Sequence, residues 1–361
     1  MLGLYIHIPF CRQKCFYCDF FSLQYDVFLI DKYIDVLTKH IEQFSGKRIH
    51  SIYIGGGTPS VLNLGQLQKL LQALEEAFDL HAIQEFTIEL NPESVSKEKL
   101  QLLKNFGINR LSIGLQTVDD KSLRYLGRKH NFEIFCDAYQ TARNVGFGNI
   151  NIDLIYGLPD QTVKDWWKVL EKASSFKSEH LSLYPLTIEK NTPFYESGVV
   201  PDDDIQRTMY DVAVEFLGKK EYIHYEISNW AKRDMESFHN MNYWRNFEYL
   251  GIGAGACGYF KRERYKNVED VESYIKSIND DLDVKVEKEY INDELYETER
   301  IMLGLRLLDE GIDISCLDNV KHRRALLECL EDKILEEQNN KIKLTKESVF
   351  VFNQIILKFI K

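Results

Sequence analysis

Cys11-Arg12-Gln13-Lys14-Cys15-Phe16-Tyr17-Cys18 places three thiols in one short stretch, separated by three and then two residues. It follows a strand-like run, Leu4-Tyr5-Ile6-His7-Ile8-Pro9. Thiolates at such close intervals can converge on one soft metal centre, as iron–sulfur clusters require. A cubane cluster held by three cysteines leaves one iron open to a ligand from outside the protein. Two other readings stay open on the residues alone. Cysteines at i, i+4 and i+7 share one face of a helix and pack there as small hydrophobes. They could also hold zinc, although a closed structural site wants four ligands and the sequence has no second close Cys or His pair.

The wider composition fits a large intracellular protein. A chain of 361 residues, 44% of them hydrophobic, can bury a sizeable core in one barrel-type domain plus a smaller addition, or in two to three domains. A net charge of −11 argues against non-specific nucleic-acid binding, so no nucleic-acid partner is expected. No run of eighteen apolar residues occurs and the N-terminus enters a strand at once, which predicts neither membrane span nor signal peptide. Cys136, Cys257, Cys316 and Cys329 are scattered and do not form a disulfide framework. The expected compartment is the reducing cytoplasm.

Outward from the cysteine loop, β-rich runs alternate with helical patterns. Strands are predicted at 4–9, 51–55, 86–91, 110–116, 149–156 and 180–187, and helices near 28–45, 65–77, 97–105, 131–145, 163–176 and 203–219. Six βα units suit a six-stranded partial barrel, but a doubly wound open sheet has the same beat. Several strands carry a polar face: Thr87, Glu89 and Asn91; Ser112, Gly114 and Gln116; Asn149, Asn151 and Asp153. Period-two geometry puts each set on one side of its strand. With the apolar sets turned to the helices, the polar sets line a lumen wide enough for a ligand. Gly55-Gly56-Gly57-Thr58-Pro59 follows the second strand, and glycines there let backbone approach a ligand closely.

The C-x3-C-x2-C loop with Tyr17 before its last cysteine, one βα unit ahead of a Gly-Gly-Gly-Thr-Pro turn, resembles the radical S-adenosylmethionine superfamily. The resemblance implies an α/β fold, a partial (β/α)6 TIM-like barrel, with a [4Fe-4S] cluster on Cys11, Cys15 and Cys18 and S-adenosylmethionine chelated to the open iron. Over Leu4 to about Pro193 it narrows to the coproporphyrinogen-dehydrogenase-like branch. Residues 5–11, 110–117, 126–128 and 151–162 look like that branch's blocks. Carried over position by position, Tyr5, Tyr17, Gly56, Gly57, Thr58, Glu89, Gln116, Arg128 and Asp153 match its S-adenosylmethionine contacts. Glu89 and Asp153 are suited to accept from ribose hydroxyls or the amino group, and Arg128 to fork onto a carboxylate.

Two departures separate this chain from the coproporphyrinogen III oxidase HemN. Asp19-Phe20 follows Cys18 where HemN has a further cysteine, and the chain starts at its first strand where HemN has an N-terminal extension. Both point to the HemW type, haem-binding relatives described as haem chaperones. His239-Asn240-Met241-Asn242-Tyr243-Trp244 resembles the haem motif of that type, which makes His239, Asn240, Tyr243 and Trp244 haem-binding candidates. Met241 is a further axial candidate, although Met more often fills gaps. The implied partners are haem, a haem-accepting protein (membrane-associated, for instance respiratory) and, as an option, a second copy of the chain. The alternatives are radical oxidative decarboxylation of coproporphyrinogen III and another radical modification of a tetrapyrrole.

The expected organisation is a barrel over 1–230, a haem-motif region and connector over 231–293, and a small winged-helix-like C-terminal domain over 294–361. The stretch 261–293 is charged and reads as irregular. Helical patterns at 297–308, 325–337 and 346–360, with a wing-like strand from Lys341, give the winged-helix reading. Such folds often bind DNA; the acidic character here favours a lid or a partner surface.

Overall fold

The computed structural model describes residues 1–313 and 317–360, so Cys316 lies outside the described residues. Six strands stand side by side in chain order, all parallel: β1 (Leu2–Ile8), β2 (Ser51–Gly56), β3 (Glu85–Leu90), β4 (Arg110–Gln116), β5 (Ile150–Tyr156) and β6 (His180–Pro185). A doubly wound sheet reverses its strand order at a switch point, and this one does not. The order therefore selects the partial barrel. Helices Val27–Glu42, Leu64–Ala77, Lys97–Asn105, Phe132–Val145, Val163–Ser175 and Asp203–Lys219 pack outside it. Each starts at a short polar side chain (Asp26, Asn63, Ser96, Asn131, Thr162 or Asp202) that accepts from first-turn N–H groups.

The barrel stays open among the described residues. Beyond β1 lies Glu248–Ile252, parallel to it, then the antiparallel strands Cys257–Phe260, Glu263–Asn267 and Lys285–Tyr290. Beyond β6 lie Asn229–Ala231 and Ile223–Glu226, making twelve strands in one sheet. The stretch 261–293 is thus not the irregular connector expected from its charge. It holds two of these strands and the helix Val271–Asn279. The signal was hidden because Lys285–Tyr290 is an edge strand with mostly exposed, charged side chains, a protected edge with no apolar alternation.

The C-terminal part runs helix Asp293–Gly304, strand Ile312–Asp313, helix Val320–Glu331, hairpin Leu335–Gln338 with Lys341–Leu344, and helix Phe352–Ile360. The first short strand pairs with the hairpin, giving the winged-helix-like arrangement. The second helix ends six residues before the expected 337. Lys333 turns the chain with a left-handed φ of 56°, and Leu335 then packs as a strand residue. This part packs on the open edge: Arg264 pairs with Glu299, and the Arg306 guanidinium lies 4.2 Å from the Trp244 ring centroid.

A buried carboxylate ties the 237–244 segment to the barrel. Glu85, at the start of β3, accepts from Ser237 Oγ at 3.1 Å, Phe238 N at 2.8 Å and His239 N at 3.1 Å. The Arg110 guanidinium stands 3.9 Å away. Removing one member of such a set strands the others without solvent. Glu85→Ala is expected to lose about 3–5 kcal/mol, read as a lowered urea midpoint; an unchanged midpoint would contradict the account.

Candidate functional site

β1 and β2 run in parallel with Ile8 opposite Gly56, and Gly57 N–H donates to Ile8 O at 3.0 Å. The cysteine loop and the glycine turn therefore leave the sheet as neighbours. A Cβ on Gly57 would lie 2.9 Å from the backbone N and O of Phe10 and 3.1 Å from Cys11 Sγ. Gly56 has a φ of 115°, and a Cβ there would meet the His7 ring at 2.8 Å. Gly57 thus forms the floor under the first thiol, and Gly56 lets the turn close on His7.

No helix forms between Cys11 and Cys18, which disposes of the shared-helix-face reading. Cys11 is buried, Cys15 and Cys18 are half-buried, and all three are free thiols. Among the described residues no three His, Cys, Asp or Glu side chains converge on the point a single ion would occupy; a cubane instead binds its thiolates on separate irons. Cys11 Sγ meets Thr58 Oγ1 at 3.3 Å, and Arg128 donates to Cys15 Sγ at 3.5 Å. Burial pushes the Cys11 thiol up and the Cys18 thiol up to about 11, so metal ligation would release protons. Uncommitted thiols beside a guanidinium, over a floor that admits no side chain, fit an anionic thiolate cluster.

The loop caps a cavity of about 470 Å³ at the C-terminal ends of β2 to β6. Its wall includes Tyr17, Gly56, Gly57, Thr58, Glu89, Gln116, Arg128 and Asp153. Glu89 accepts from Tyr53 Oη at 2.8 Å and from Gly56 N at 3.2 Å, yet burial still raises its pKa to about 7. Asp153 accepts from Ser112 Oγ at 3.0 Å and Asn151 Nδ2 at 2.8 Å, and burial raises it too. Arg128 also donates to Asn91 Oδ1 at 2.8 Å and Gly114 O at 3.1 Å. Gln116 has a left-handed φ of 69°, spanned by a 2.9 Å bond from Thr117 N–H to Leu115 O, where the β4–β5 register shifts. Such a bulge re-aims a side chain at local conformational cost.

Beside it, sharing Asp19, Phe20, Gly56 and Glu89, lies a larger cavity of about 1030 Å³ between the antiparallel strands and helix Asp293–Gly304. Tyr243 and Trp244 line this one, as does Tyr5. His239 and Asn240 line neither cavity. His239 is 1% exposed; its Nδ1 meets Ser51 Oγ at 2.8 Å and its Nε2 meets Tyr243 Oη at 2.7 Å. Burial lowers its pKa to about 3, and with both nitrogens engaged it is a neutral core residue in this arrangement. Sequence reasoning missed Tyr53, Tyr184 and the Arg110–Glu85 pair. An aromatic in an apolar strand reads as core, and nothing local marks Tyr53 as the donor to Glu89.

Known proteins resemble this chain in sequence and in fold. Residues 5–173 match the radical SAM superfamily model. The heme chaperone HemW of Lactococcus lactis is 36% identical over 99% of this chain and 96% of its own length. The chain belongs to the HemW family. The Bacillus subtilis heme chaperone HemW is 37% identical over 85% of this chain and 83% of its own. The structure of Escherichia coli HemN, a coproporphyrinogen III oxidase and radical SAM enzyme, superposes with a TM-score of 0.87 over 99% of this chain and 89% of that one. At 22% identity that likeness fixes the fold, an open radical SAM barrel, and no more. The superfamily implies a [4Fe-4S] cluster and S-adenosylmethionine for this HemW-family chain.

The raised pKa of Glu89 has a consequence for stability. Its folded value lies above the ordinary 4.5, so ionising it costs stability as the pH climbs from about 4.5 to about 7. Glu89→Gln removes that cost. The variant should gain thermal stability over the parent at pH 8 relative to their difference at pH 4, and a pH-independent difference in melting temperature would refute the assignment.

Proposed function

We propose that this chain carries a [4Fe-4S] cluster on Cys11, Cys15 and Cys18, holds S-adenosylmethionine in the smaller cavity, and takes haem in the larger one for delivery to an acceptor protein. The observation that carries the reading is the pairing of the two cavities. A polar mouth beneath three free thiols shares a wall with a broad slot lined by Tyr243, Trp244 and Phe247. Aromatic walls and a volume of about 1030 Å³ suit a flat macrocycle. The relatives named heme chaperone HemW, similar over nearly the whole chain, support the same reading.

When bound, the cluster supplies an open iron to chelate the amino and carboxylate groups of S-adenosylmethionine. The remaining work falls to this chain's side chains. Arg128 is the guanidinium available to the cofactor carboxylate. Glu89 and Asp153 are acceptors for ammonium or ribose hydroxyls, and Gln116 reaches the mouth through its strained turn. The loop Asp19–Phe20, touching both cavities, is the element through which one occupant can affect the other. Among the described residues no helix is long and apolar enough to cross a membrane. The proposed setting is the cytoplasm, with a membrane-associated respiratory haem protein as acceptor and a homodimer as an option.

Anaerobic reconstitution should give about four irons and four sulfides per chain, and Cys15→Ala should abolish that load. The loaded protein should bind haem near one equivalent and pass it to an apo-acceptor in a spectral transfer assay. Catalytic conversion of coproporphyrinogen III to decarboxylated product, with 5′-deoxyadenosine formed in step, would overturn delivery as the function.

A further inference from the structure

Beneath the smaller cavity the barrel interior holds a set of polar side chains. Asn151 and Asp153 share one face of β5, and the register puts them opposite His180 and Ser182 on β6, with Ser112 of β4 opposite Asn151. Ser112, Asn151, His180 and Ser182 are buried; Asp153 reaches the cavity wall. His180 is 0% exposed and lines neither cavity. Its Nδ1 lies 2.6 Å from Asn151 Oδ1, and its Nε2 lies 2.8 Å from Tyr225 Oη.

The hydrogens of this set can be assigned one by one. A carboxylate only accepts, so the Asn151 amide turns its nitrogen to Asp153 Oδ1 and to Ser112 Oγ, each at 2.8 Å. Its oxygen then faces His180 and Ser182, and both must donate. Burial, with the Arg110 charge nearby, holds the His180 pKa well below its ordinary value, so the ring is neutral and carries one N–H. That hydrogen sits on Nδ1, and Nε2 accepts from the Tyr225 hydroxyl, whose oxygen accepts from Ser237 N at 3.2 Å. Every donor from Tyr225 onward points toward Asp153. Ser182 can reverse its hydroxyl and tolerate a flipped amide, but an N–H cannot accept. His180 is therefore the member that forbids the flip. Asp153 receives Asn151 on Oδ1 and Ser112 on Oδ2 from below, which leaves its other lone pairs for the mouth.

We propose that His180 is a positioning residue which, through the Asn151 amide, fixes Asp153 as an acceptor for the hydroxyl or ammonium donors of the ligand in the smaller cavity. This rests on the reading of that cavity as the S-adenosylmethionine site. A flipped amide would set an oxygen against the carboxylate, remove one of its two donors, and turn its free lone pairs away from the ligand.

The test is a calorimetric titration of anaerobic, cluster-reconstituted protein with S-adenosylmethionine. An Asn side chain places its amide nitrogen where the imidazole has Nδ1, whereas Gln places it near Nε2. His180→Asn should therefore bind within about twofold of the parent, and His180→Gln about tenfold more weakly, the scale of one lost bond to a charged group. A space-filling role would instead favour the larger Gln. In an Asp153→Asn background the two His180 variants should bind alike, because the acceptor they orient is gone. Tyr225→Phe removes one oxygen remote from the ligand and should weaken binding about threefold; it reads the same relay where a His180 variant does not fold. Gln tolerated as well as Asn, a difference that persists in the Asp153→Asn background, or unaltered binding in Tyr225→Phe would overturn the assignment while leaving the cofactor site standing. Failure of the loaded parent to bind S-adenosylmethionine would overturn the reading of the cavity itself.

Discussion

The parallel pairing of Ile8 with Gly56 is the constraint on which the rest depends. It brings the exit of one strand against the exit of the next, so the cysteine loop has nowhere to go except over the glycine turn. Contact is so close that Gly57 faces the backbone of Phe10 directly. A side chain at that point would lift the first thiol off its floor and pull it from Thr58. Position, burial and hydrogen-bonding of Cys11 therefore follow from a backbone register rather than from anything in the loop itself.

From that corner the chemistry spreads along strand ends. The inward residues of β2 to β5 are polar because they face the mouth, and each carboxylate there is held by neighbours: Glu89 by Tyr53 and Gly56, Asp153 by Ser112 and Asn151. Burial nonetheless dominates and holds both above their ordinary pKa. The mouth is thus acidic in composition but reluctant to be fully charged, a state that a cationic ligand would relieve. Arg128 supplies the opposite sign on the side next to Cys15.

Much of this was readable in the sequence because it repeats. Six βα units and the polar alternation on β3, β4 and β5 are local patterns, and they place Glu89, Gln116 and Asp153 correctly in one mouth. Thr87 and Asn149 share those patterns but sit away from the cavity wall, since alternation gives a face and not a depth. What stayed hidden depends on distant partners. Lys285–Tyr290 has no apolar alternation because it is an edge strand whose side chains meet their neighbours largely as ions, Lys285 with Glu263 and Glu287 with Lys266. His239 reads as a ligand beside aromatics, yet Ser51, far away in the chain, closes one of its nitrogens.

The sheet that runs past β1 without curling back gives the molecule a seam along its flank. The slot along that flank and the thiol-bearing mouth meet at Gly56, Glu89 and the Asp19–Phe20 turn. A shift of that turn would reshape both openings at once.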